Sequence, residues 1–372
     1  MAKLKLLFDA KWLFEGHVSG KEVVQNQLKY LIRQNEFELF VLLRKSDKER
    51  VFKYPLTGVK LIYIASRVNA LSNSFLVDGI IRKNKIDIIL FHNHIPYFNR
   101  NCFRVCFIHD VLFLDFPEFF SYKERLYFKL IVESIKRSDH VITISNSEKN
   151  RILKWKLKKS NEITVTHNGI NDSFLTFRAD KKERQRVKEK YDLPDRFVLY
   201  LGRLNFRKNI GGLIEAMKFV DVPLMIGGSP SHKMENITSI ESNSEIRFLG
   251  FIDTEDLPYL YNLSTVFCFP SFAEGFGLPP IEAMATGTPT AVSNTTCFPE
   301  VCENASVFFD PKDSSSIAKA INDLLENDSL RDDRIQKGSE RSKEFTWESS
   351  IERLTEQLKL KYNEFESFNN RI

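Results

Sequence analysis

Two glutamates, Glu274 and Glu282, bracket a segment that carries a glycine on each side of Phe276 and two adjacent prolines. The glycines permit backbone conformations that are closed to other residues, and proline suits the first turn of a helix. The unpaired N–H groups of such a helix start can hold an anion. Because a carboxylate in the first turn also stabilises any helix through the macrodipole, a charged helix start is the local alternative for Glu282.

A basic segment, residues 202–209, follows a predicted strand and precedes a helix that we predict to begin near Ile210. Arg203 offers a planar guanidinium group and Lys208 a mobile point charge, and this pair suits a diphosphate. A basic surface turn is the alternative interpretation, because such turns are common before helices.

Both segments follow predicted strands, so we expect them at the same carboxyl edge of one sheet. Cations at that edge suit a diphosphate, and the carboxylates of Glu274 and Glu282 suit vicinal hydroxyl groups. The combination indicates a nucleotide-linked sugar. Paired carboxylates also suggest glycoside hydrolysis, but hydrolysis does not explain Arg203 and Lys208.

In the N-terminal half, His109 follows the apolar run 105–108 and is expected at the carboxyl end of a strand. A histidine there can donate to a substrate oxygen or stabilise developing charge, and the alternative is a loop histidine bonded to backbone. His92 and His94 resemble a metal pair, but no third ligand has a suitable spacing. We interpret them as cleft-lining or structural and predict no metal site.

Two further features of the N-terminal half have a functional and a plain interpretation. Gly20 lets backbone approach a diphosphate, or it is an ordinary glycine at a helix start. Residues 151–159 join basic and bulky apolar side chains, which suits an anionic membrane surface or a solvated helix end. Because no aromatic RNA-binding signature accompanies these charges, we predict no nucleic-acid partner.

Short apolar runs alternate with longer helical patterns along the chain, which predicts an α/β fold with parallel sheets. Two open sheets facing a central cleft are expected, with ligands beyond the carboxyl ends of their strands. The strands predicted for the first sheet are residues 4–8, 39–43, 60–64, 86–91, 104–108, 140–144 and 163–166. Those predicted for the second sheet are residues 197–201, 223–226, 246–249, 265–269, 289–292 and 306–309.

The 372 residues exceed one typical core and predict two domains. We expect an N-terminal domain over residues 1–175, a linker over 176–195 and a nucleotide-sugar-binding domain over 196–345, and the resemblance described below implies that the N-terminal domain binds the acceptor. Residues 346–372 have the apolar spacing of an amphipathic helix that docks on one of these domains. No GxGxxG follows the first predicted strand of either half, so nicotinamide chemistry is not expected and no cofactor is predicted.

Charge is distributed unevenly along the chain. Residues 1–175 carry 29 Lys and Arg against 18 Asp and Glu, a net charge of +11, whereas residues 176–372 have a net charge of −6. A basic half suits anionic lipid, an acidic acceptor or nucleic acid, and the alternative is a solvated basic surface with no partner. The five cysteines form no CxxC pair, and reduced thiols in the cytoplasm fit best. No segment approaches the ~18 apolar residues of a membrane span, so any membrane contact is expected to be peripheral, at the inner face of the plasma membrane.

Together these residues resemble the retaining glycosyltransferases of family 4, which have the two-domain GT-B fold. The resemblance covers most of the chain, and the seven residues between the two glutamates match the spacing of the family's signature. In the C-terminal half it rests on Gly202-Arg203, Lys208-Asn209, Gly227-Gly228, Phe248-Leu249-Gly250, Pro270-Ser271, Glu274-Gly275-Phe276-Gly277 and Glu282-Ala283-Met284-Ala285. The weaker landmarks are His109-Asp110, residues 142–145, His167-Asn168-Gly169 and residues 345–348, which lead into a terminal helix that crosses back to the N-terminal domain.

The resemblance implies a role for each matching residue. Arg203 and Lys208 bind the donor diphosphate, Glu282 holds the ribose hydroxyl groups, and Glu274 contacts the donor sugar. Further contacts come from the backbone of Gly275, Phe276, Gly277 and Leu278, from Ile252 at the base, from His109 at the sugar and from Gly20 near the diphosphate. The loop around Gly20 has Ser19-Gly20-Lys21 where the family more often has two glycines.

The implied activity is metal-independent transfer of a sugar from a UDP- or GDP-sugar to an acceptor hydroxyl group with retained anomeric configuration. Its setting is the assembly of cell-surface polysaccharide or lipid-linked glycan. A sugar-nucleotide epimerase is the enzymatic alternative, and it would consume donor without an acceptor. The alternative that is not an enzyme is a sugar-nucleotide-binding subunit, which would bind the donor without releasing nucleoside diphosphate.

Overall fold

The computed structural model describes residues 3–15, 18–52, 54, 56–65, 76–97, 102–228 and 245–369. The chain forms two compact units. The first unit comprises Met1–Gly169 together with Trp347–Ile372, and the second comprises Ile170–Thr346. Residues 176–195, the predicted linker, belong to the second unit.

A parallel sheet forms the core of the first unit, and its described strands lie in the order β3-β2-β1-β4-β5-β6-β7. These strands are near-continuous apolar runs, as expected where helices cover both faces of a sheet. The strands are β1 (Lys5–Asp9), β2 (Glu38–Arg44), β3 (Lys60–Ile64), β4 (Ile88–His92), β5 (Phe103–Ile108), β6 (His140–Thr143) and β7 (Ile163–Val165). Every strand predicted for this sheet is confirmed, and no end differs from the prediction by more than two residues.

A second parallel sheet forms the core of the second unit, and its described strands lie in the order β10-β9-β8-β11-β12-β13. They are β8 (Val198–Leu201), β9 (Leu224–Gly227), β10 (Ile246–Gly250), β11 (Val266–Phe269), β12 (Thr290–Ser293) and β13 (Ser306–Phe309). The central strands β8, β9, β11 and β12 are buried along their whole length. The α/β fold with two Rossmann-like sheets is therefore confirmed.

Several helices begin at a residue whose side chain caps the first turn. Ser121, Ser145 and Asp180 each accept a hydrogen bond from the backbone of a glutamate three residues further on, which satisfies an N–H group of the first turn. The described α-helices of the first unit are Val18–Gln34, Lys48–Val51, Val77–Asn84, Tyr122–Arg137, Asn146–Lys154 and Trp347–Asn369. Those of the second unit are Asp172–Leu175, Lys181–Lys190, Ile210–Ala216, Leu257–Leu263, Leu278–Ala285, Phe298–Cys302, Ser314–Glu326 and Asp328–Ser342.

The last helix of the chain, Trp347–Asn369, is part of the first unit. It buries Ile351, Leu354 and Leu358, which recur at the spacing of three or four residues that an amphipathic helix shows. Thr355 Oγ1 donates to Gln34 Oε1 at 2.8 Å, on the first helix of the unit. The chain therefore returns to its N-terminal unit, as the resemblance to the GT-B fold implies.

Candidate functional site

The strand order of each sheet reverses at one point, between β1 and β4 in the first sheet and between β8 and β11 in the second. Loops that leave such neighbouring strands turn to opposite faces, and the crevice between them is the usual ligand site of an open α/β sheet. In the second sheet, β8 leads into the basic segment 202–209 and β11 leads into the segment from Glu274 to Glu282. The two segments predicted to meet at one sheet edge do so.

Glu274 is buried, and two cations of the basic segment bind its carboxylate. Lys208 Nζ donates to Oε1 at 2.5 Å and Arg207 Nη1 donates to Oε2 at 2.8 Å. Burial raises the pKa of the Glu274 carboxyl, but Arg207 and Lys208 outweigh burial and bring its pKa down to about 2. Glu274 is therefore ionised throughout the neutral range.

A single turn of 3₁₀-helix, Phe206–Lys208, presents both cations to Glu274. Asn205 caps this turn by accepting the Lys208 N–H group at 3.2 Å. Arg207 also donates to the Ala273 carbonyl at 2.5 Å, which fixes the loop after β11 against the loop after β8.

Sequence reasoning missed Arg207, since it assigned only Arg203 and Lys208 among the three cations of the basic segment. The side chain of Arg203 is exposed, and its carbonyl accepts a hydrogen bond from Tyr200 Oη at 3.1 Å. The spacing of residues along a loop did not indicate which of these cations contacts Glu274.

Gly277 sets the geometry at the start of the helix Leu278–Ala285. Its φ of +90° lies in the left-handed region, and a Cβ atom there would lie 2.8 Å from Phe298 Cε1. Pro279 and Pro280 lie in the first turn, as predicted. Because proline has no N–H group, the donors that this helix start can offer an anion are the N–H groups of Gly277 and Leu278.

The first turn of the helix Leu278–Ala285 contains no acidic residue, and Glu282 lies beyond that turn. The interpretation of Glu282 as a charge in the first turn is therefore wrong, because the helix begins at Leu278 and places it one turn further on. Its Oε2 accepts a hydrogen bond from Tyr261 Oη at 2.8 Å. Tyr261 is buried, so the hydrogen bond fixes the carboxylate from the core side.

Glycine backbones pack closely at the carboxyl ends of β8, β9 and β10. The N–H group of Gly228 donates to the Gly250 carbonyl at 2.8 Å. A Cβ atom on Gly228 would lie 1.9 Å from the Gly202 carbonyl oxygen, so only glycine fits there. Ile252 follows β10 and is buried, and its Cγ1 would lie 3.1 Å from a Cβ atom on Gly227.

In the first unit, His109 lies just past the carboxyl end of β5, as predicted. His92 ends the adjacent strand β4, and its Nδ1 lies 3.1 Å from His109 Nε2. Burial lowers the pKa of His109 to about 4, and burial together with His109 and Lys11 lowers that of His92 well below its ordinary value. Both rings are therefore neutral at pH 7.

Gly20 is linked to this histidine pair through the Trp12 ring. Gly20 is in the first turn of the helix Val18–Gln34, and a Cβ atom there would lie 3.2 Å from the Trp12 ring. That ring also lies 5.4 Å from the His109 ring. His94 binds Tyr127 Oη at 2.7 Å. Among the described residues, no group of His, Cys, Asp or Glu side chains has the arrangement of a metal site.

Two Rossmann-like units, one of which has a buried carboxylate bound by two cations at its switch point, define a two-domain α/β protein of the GT-B type. The model of the glycosyl transferases group 1 matches residues 181–341, and that of Glycosyltransferase Family 4 matches residues 20–174. The two matches together show that the chain belongs to the group 1 glycosyltransferases, which have the GT-B fold.

Relatives and solved structures are consistent with this membership. The chain is 31% identical over 254 residues to the O-antigen chain mannosyltransferase B of Escherichia coli, over 65% of this chain and 66% of that protein. It is 29% identical over 262 residues to the serotype-specific mannosyltransferase WbdA of Escherichia coli, over 65% of this chain and 32% of that protein. The chain thus spans just under two thirds of the first relative and about a third of the second.

Among solved structures, Anabaena Alr3699/HepE in complex with UDP has a TM-score of 0.75 and 19% identity, over 96% of this chain and 100% of that chain. This likeness establishes the fold. In the part of the chain that the structure describes, none of the helices has both the length and the apolar character needed to cross a membrane.

Proposed function

We propose that this chain transfers a sugar from a UDP- or GDP-linked donor to a hydroxyl group of a glycan or lipid-linked acceptor. The observation that carries the proposal is the cluster at the switch point of the second sheet, where the partly buried Lys208 and Arg207 both bind the buried Glu274. A sugar diphosphate presents two negative charges beside several hydroxyl groups, and this cluster presents cations beside a carboxylate.

The second unit holds the donor in this proposal. Arg203 and Lys208 bind the diphosphate, and Glu282, fixed by Tyr261, accepts hydrogen bonds from the ribose hydroxyl groups. Glu274 contacts the donor sugar. The remaining donor contacts are the backbone of Gly275, Phe276, Gly277 and Leu278 around the sugar and phosphate, and the backbone of Ile252 at the base.

In this proposal the first unit binds the acceptor and carries two further residues that contact the donor. His109 donates to a hydroxyl oxygen of the donor sugar, and Gly20 lets the start of its helix approach the diphosphate. The proposed acceptor is cell-surface polysaccharide or a lipid-linked glycan. Two relatives named as mannosyltransferases, one for the O-antigen chain, support this setting.

The charge state of Glu274 defines its part in the reaction. With a pKa of about 2, Glu274 has no proton to donate, so it accepts hydrogen bonds from sugar hydroxyl groups. Lys208 and Arg203 stabilise the charge that grows on the departing diphosphate, and the transfer then requires no metal.

The proposed reaction retains the anomeric configuration. The bond from the anomeric carbon to the phosphate oxygen breaks, and the bond to the acceptor oxygen forms on the same face of the sugar. The acceptor proton passes to the departing phosphate. A transient covalent bond to Glu274 is the alternative, and mass spectrometry of the protein quenched during turnover would detect it.

Screening of UDP- and GDP-sugars with a panel of glycan and lipid-linked acceptors tests the proposal. We expect one donor to release nucleoside diphosphate only when an acceptor is present, with full activity in EDTA and a product whose anomeric configuration is that of the donor. GDP-mannose belongs in the panel because two relatives are mannosyltransferases by name.

The alternatives give different results in the same screen. Donor consumption without an acceptor would identify an epimerase, and donor binding without release would identify a non-catalytic subunit. The mechanism is wrong if Arg203→Ala and Lys208→Ala leave the turnover of every accepted donor unchanged.

We also propose that the first unit contacts an anionic membrane at its cytoplasmic face. Trp155 is half-exposed beside Lys154, and both donate to Asp115. On the helix Tyr122–Arg137, Tyr122 and Leu126 lie one turn apart and are exposed. Exposed aromatic and aliphatic side chains among cations suit the headgroup region of anionic lipid.

Sedimentation with lipid vesicles tests this contact. We expect binding to vesicles that contain phosphatidylglycerol, weaker binding to pure phosphatidylcholine, and a loss of binding in Leu126→Ser and Trp155→Ser. Phe219→Ser is the matched control, because Phe219 is exposed on the second unit. Equal binding to both vesicle types, or an equal loss in the control, would rule out the contact.

A further inference from the structure

His92 lies beside the candidate catalytic histidine, and nothing in the proposed reaction uses it. The two ring nitrogens, His92 Nδ1 and His109 Nε2, are 3.1 Å apart, which is hydrogen-bond distance. Two neutral imidazoles share only one proton in such a contact, because a neutral ring has one N–H donor and one bare acceptor nitrogen. One ring therefore donates and the other accepts, and the surroundings decide which.

The surroundings of His92 Nε2, the ring nitrogen that points away from His109, decide which of the two rings donates. His92 Nε2 is buried and has no hydrogen-bond partner among the described residues. The ring is surrounded by aromatic side chains: Phe8 lies edge-on with its centroid 5.5 Å away, Phe107 is at 5.3 Å and Trp12 at 6.1 Å. No polar group of these neighbours reaches Nε2.

The two possible arrangements differ in what they leave buried. If His109 donated from Nε2, the proton of His92 would be on its own Nε2 as a buried N–H group without an acceptor. Leaving a buried donor unpaired costs about 1–3 kcal/mol, and orphaned N–H groups are rarer than unpaired acceptors. If His92 donates from Nδ1, its Nε2 carries no proton, and no buried N–H group is left without an acceptor.

The second arrangement also fixes the state of His109. When His109 Nε2 accepts, the proton of that ring must be on Nδ1. His109 is partly exposed, and Nδ1 has no hydrogen-bond partner among the described residues. The nitrogen left available to a ligand therefore carries a proton.

We propose that His92 is a positioning residue that holds His109 in the Nδ1–H tautomer, so that His109 meets the sugar donor as a neutral hydrogen-bond donor. The identity of the ligand in this inference rests on the proposed function. The tautomer of His109 rests only on the geometry of the two rings. This positioning role assigns His92, which the sequence left as cleft-lining or structural, to the reaction. It also means that His109 does not accept a proton at Nδ1 during turnover.

The tautomer can be observed directly in the full-length protein labelled with ¹⁵N-histidine. Long-range ¹H–¹⁵N spectra at pH 7.5 distinguish protonated from bare ring nitrogens, and His109→Phe and His92→Phe assign the two rings by loss of signal. We expect protonated Nδ1 and bare Nε2 in both rings. A protonated Nε2 in His109 would overturn the proposal.

Two substitutions separate positioning from packing. His92→Asn keeps an N–H donor near the position of Nδ1, whereas His92→Phe keeps the ring and its volume but has no donor. If His92 sets the tautomer, we expect His92→Phe to lower kcat/KM about tenfold and His92→Asn to recover most of that loss. If His92 only packs, the aromatic surroundings favour phenylalanine, and the order of the two variants is reversed.

The failures of the two hypotheses are distinguishable. Absence of turnover by the wild-type enzyme with every nucleotide sugar would contradict the proposed function, while the spectrum of the wild-type protein still decides the tautomer. Turnover by the wild-type enzyme with equal kcat/KM in His92→Phe would contradict the positioning role.

Discussion

At the scale of single residues, Glu274 is the group whose environment most strongly determines its chemistry. A buried carboxylate alone would take up a proton, but Arg207 and Lys208 keep it ionised. Removing one partner of such a buried cluster costs more than an exposed ion pair is worth, because the remaining charge is left uncompensated. The stability of the second unit therefore depends on whether Glu274 is ionised.

This linkage predicts a pH dependence of stability. The pKa of Glu274 is about 2 in the folded chain against an ordinary value of 4.5, so the unfolded chain binds the proton first as the pH falls. The stabilisation is complete above about pH 5 and is lost as the pH falls towards 2. We expect the wild type to lose on the order of 3 kcal/mol more than Glu274→Gln over this interval, measured by urea unfolding of the second unit.

Glu344→Gln is the control for this experiment. Glu344 pairs with Arg341 at the exposed surface, where an ion pair is worth less than about 1 kcal/mol. A wild-type pH dependence that Glu274→Gln leaves intact would show that the cluster does not hold the carboxylate ionised.

The residues of the site were partly predictable from sequence. Glu274 and Lys208 follow strands of one sheet, so their meeting at one edge follows from the parallel topology. The contact of Arg207 with Glu274 depends on a single 3₁₀ turn, and the contact of His92 with His109 depends on the register of β4 against β5. Neither geometry is encoded in a local pattern, and both contacts were missed.

At the scale of elements, the helix start at Leu278 depends on the backbone of Gly277. Its φ of +90° is in the left-handed region, and the Phe298 ring occupies the space where a Cβ atom would lie. Of the two glycines that flank Phe276, Gly277 has the left-handed backbone that the sequence suggested, and Gly275 is not among the glycines with positive φ. The exact start of the helix was less predictable, and it moved Glu282 out of the first turn.

Gly277→Ala tests the role of this glycine, with Gly287→Ala as a matched control. Gly287 has a similar φ of +80°, but a Cβ atom there would meet nothing within 4 Å. Both variants bear the backbone strain, and only Gly277→Ala adds the clash with Phe298. We expect Gly277→Ala to cost about 1–3 kcal/mol more in the free energy of unfolding than Gly287→Ala. Equal costs would mean that Phe298 moves aside.

At the scale of the whole molecule, the chain folds as two α/β units, and the first is completed by residues from the far end of the sequence. The strands were predictable because buried parallel strands are short apolar runs. The return of the last helix to the first unit was not encoded in its apolar spacing, which specifies only that one face is buried. Only the resemblance to the GT-B fold predicted that this helix packs on the N-terminal unit.

The terminal helix should therefore stabilise the N-terminal unit. Leu354 is fully buried, so Leu354→Ala should cost about 2–5 kcal/mol, seen as faster hydrogen exchange of amides in the first unit. Leu360 lies in the same helix and is half-exposed, so Leu360→Ala should change stability by less than about 0.5 kcal/mol. Similar effects of the two substitutions would show that the helix is not docked as described.

The central claim is that the switch point of the second sheet binds the diphosphate of a nucleotide-sugar donor through Lys208. Isothermal titration of the full chain with UDP and with GDP tests it most directly, with Lys319→Ala as the control, because Lys319 is an exposed lysine of the same unit that pairs with Asp323. We predict that one of the two nucleotides binds, that Lys208→Ala weakens binding about tenfold or more, and that Lys319→Ala leaves it unchanged. Binding of neither nucleotide, or equal affinity in wild type and Lys208→Ala, would contradict the claim.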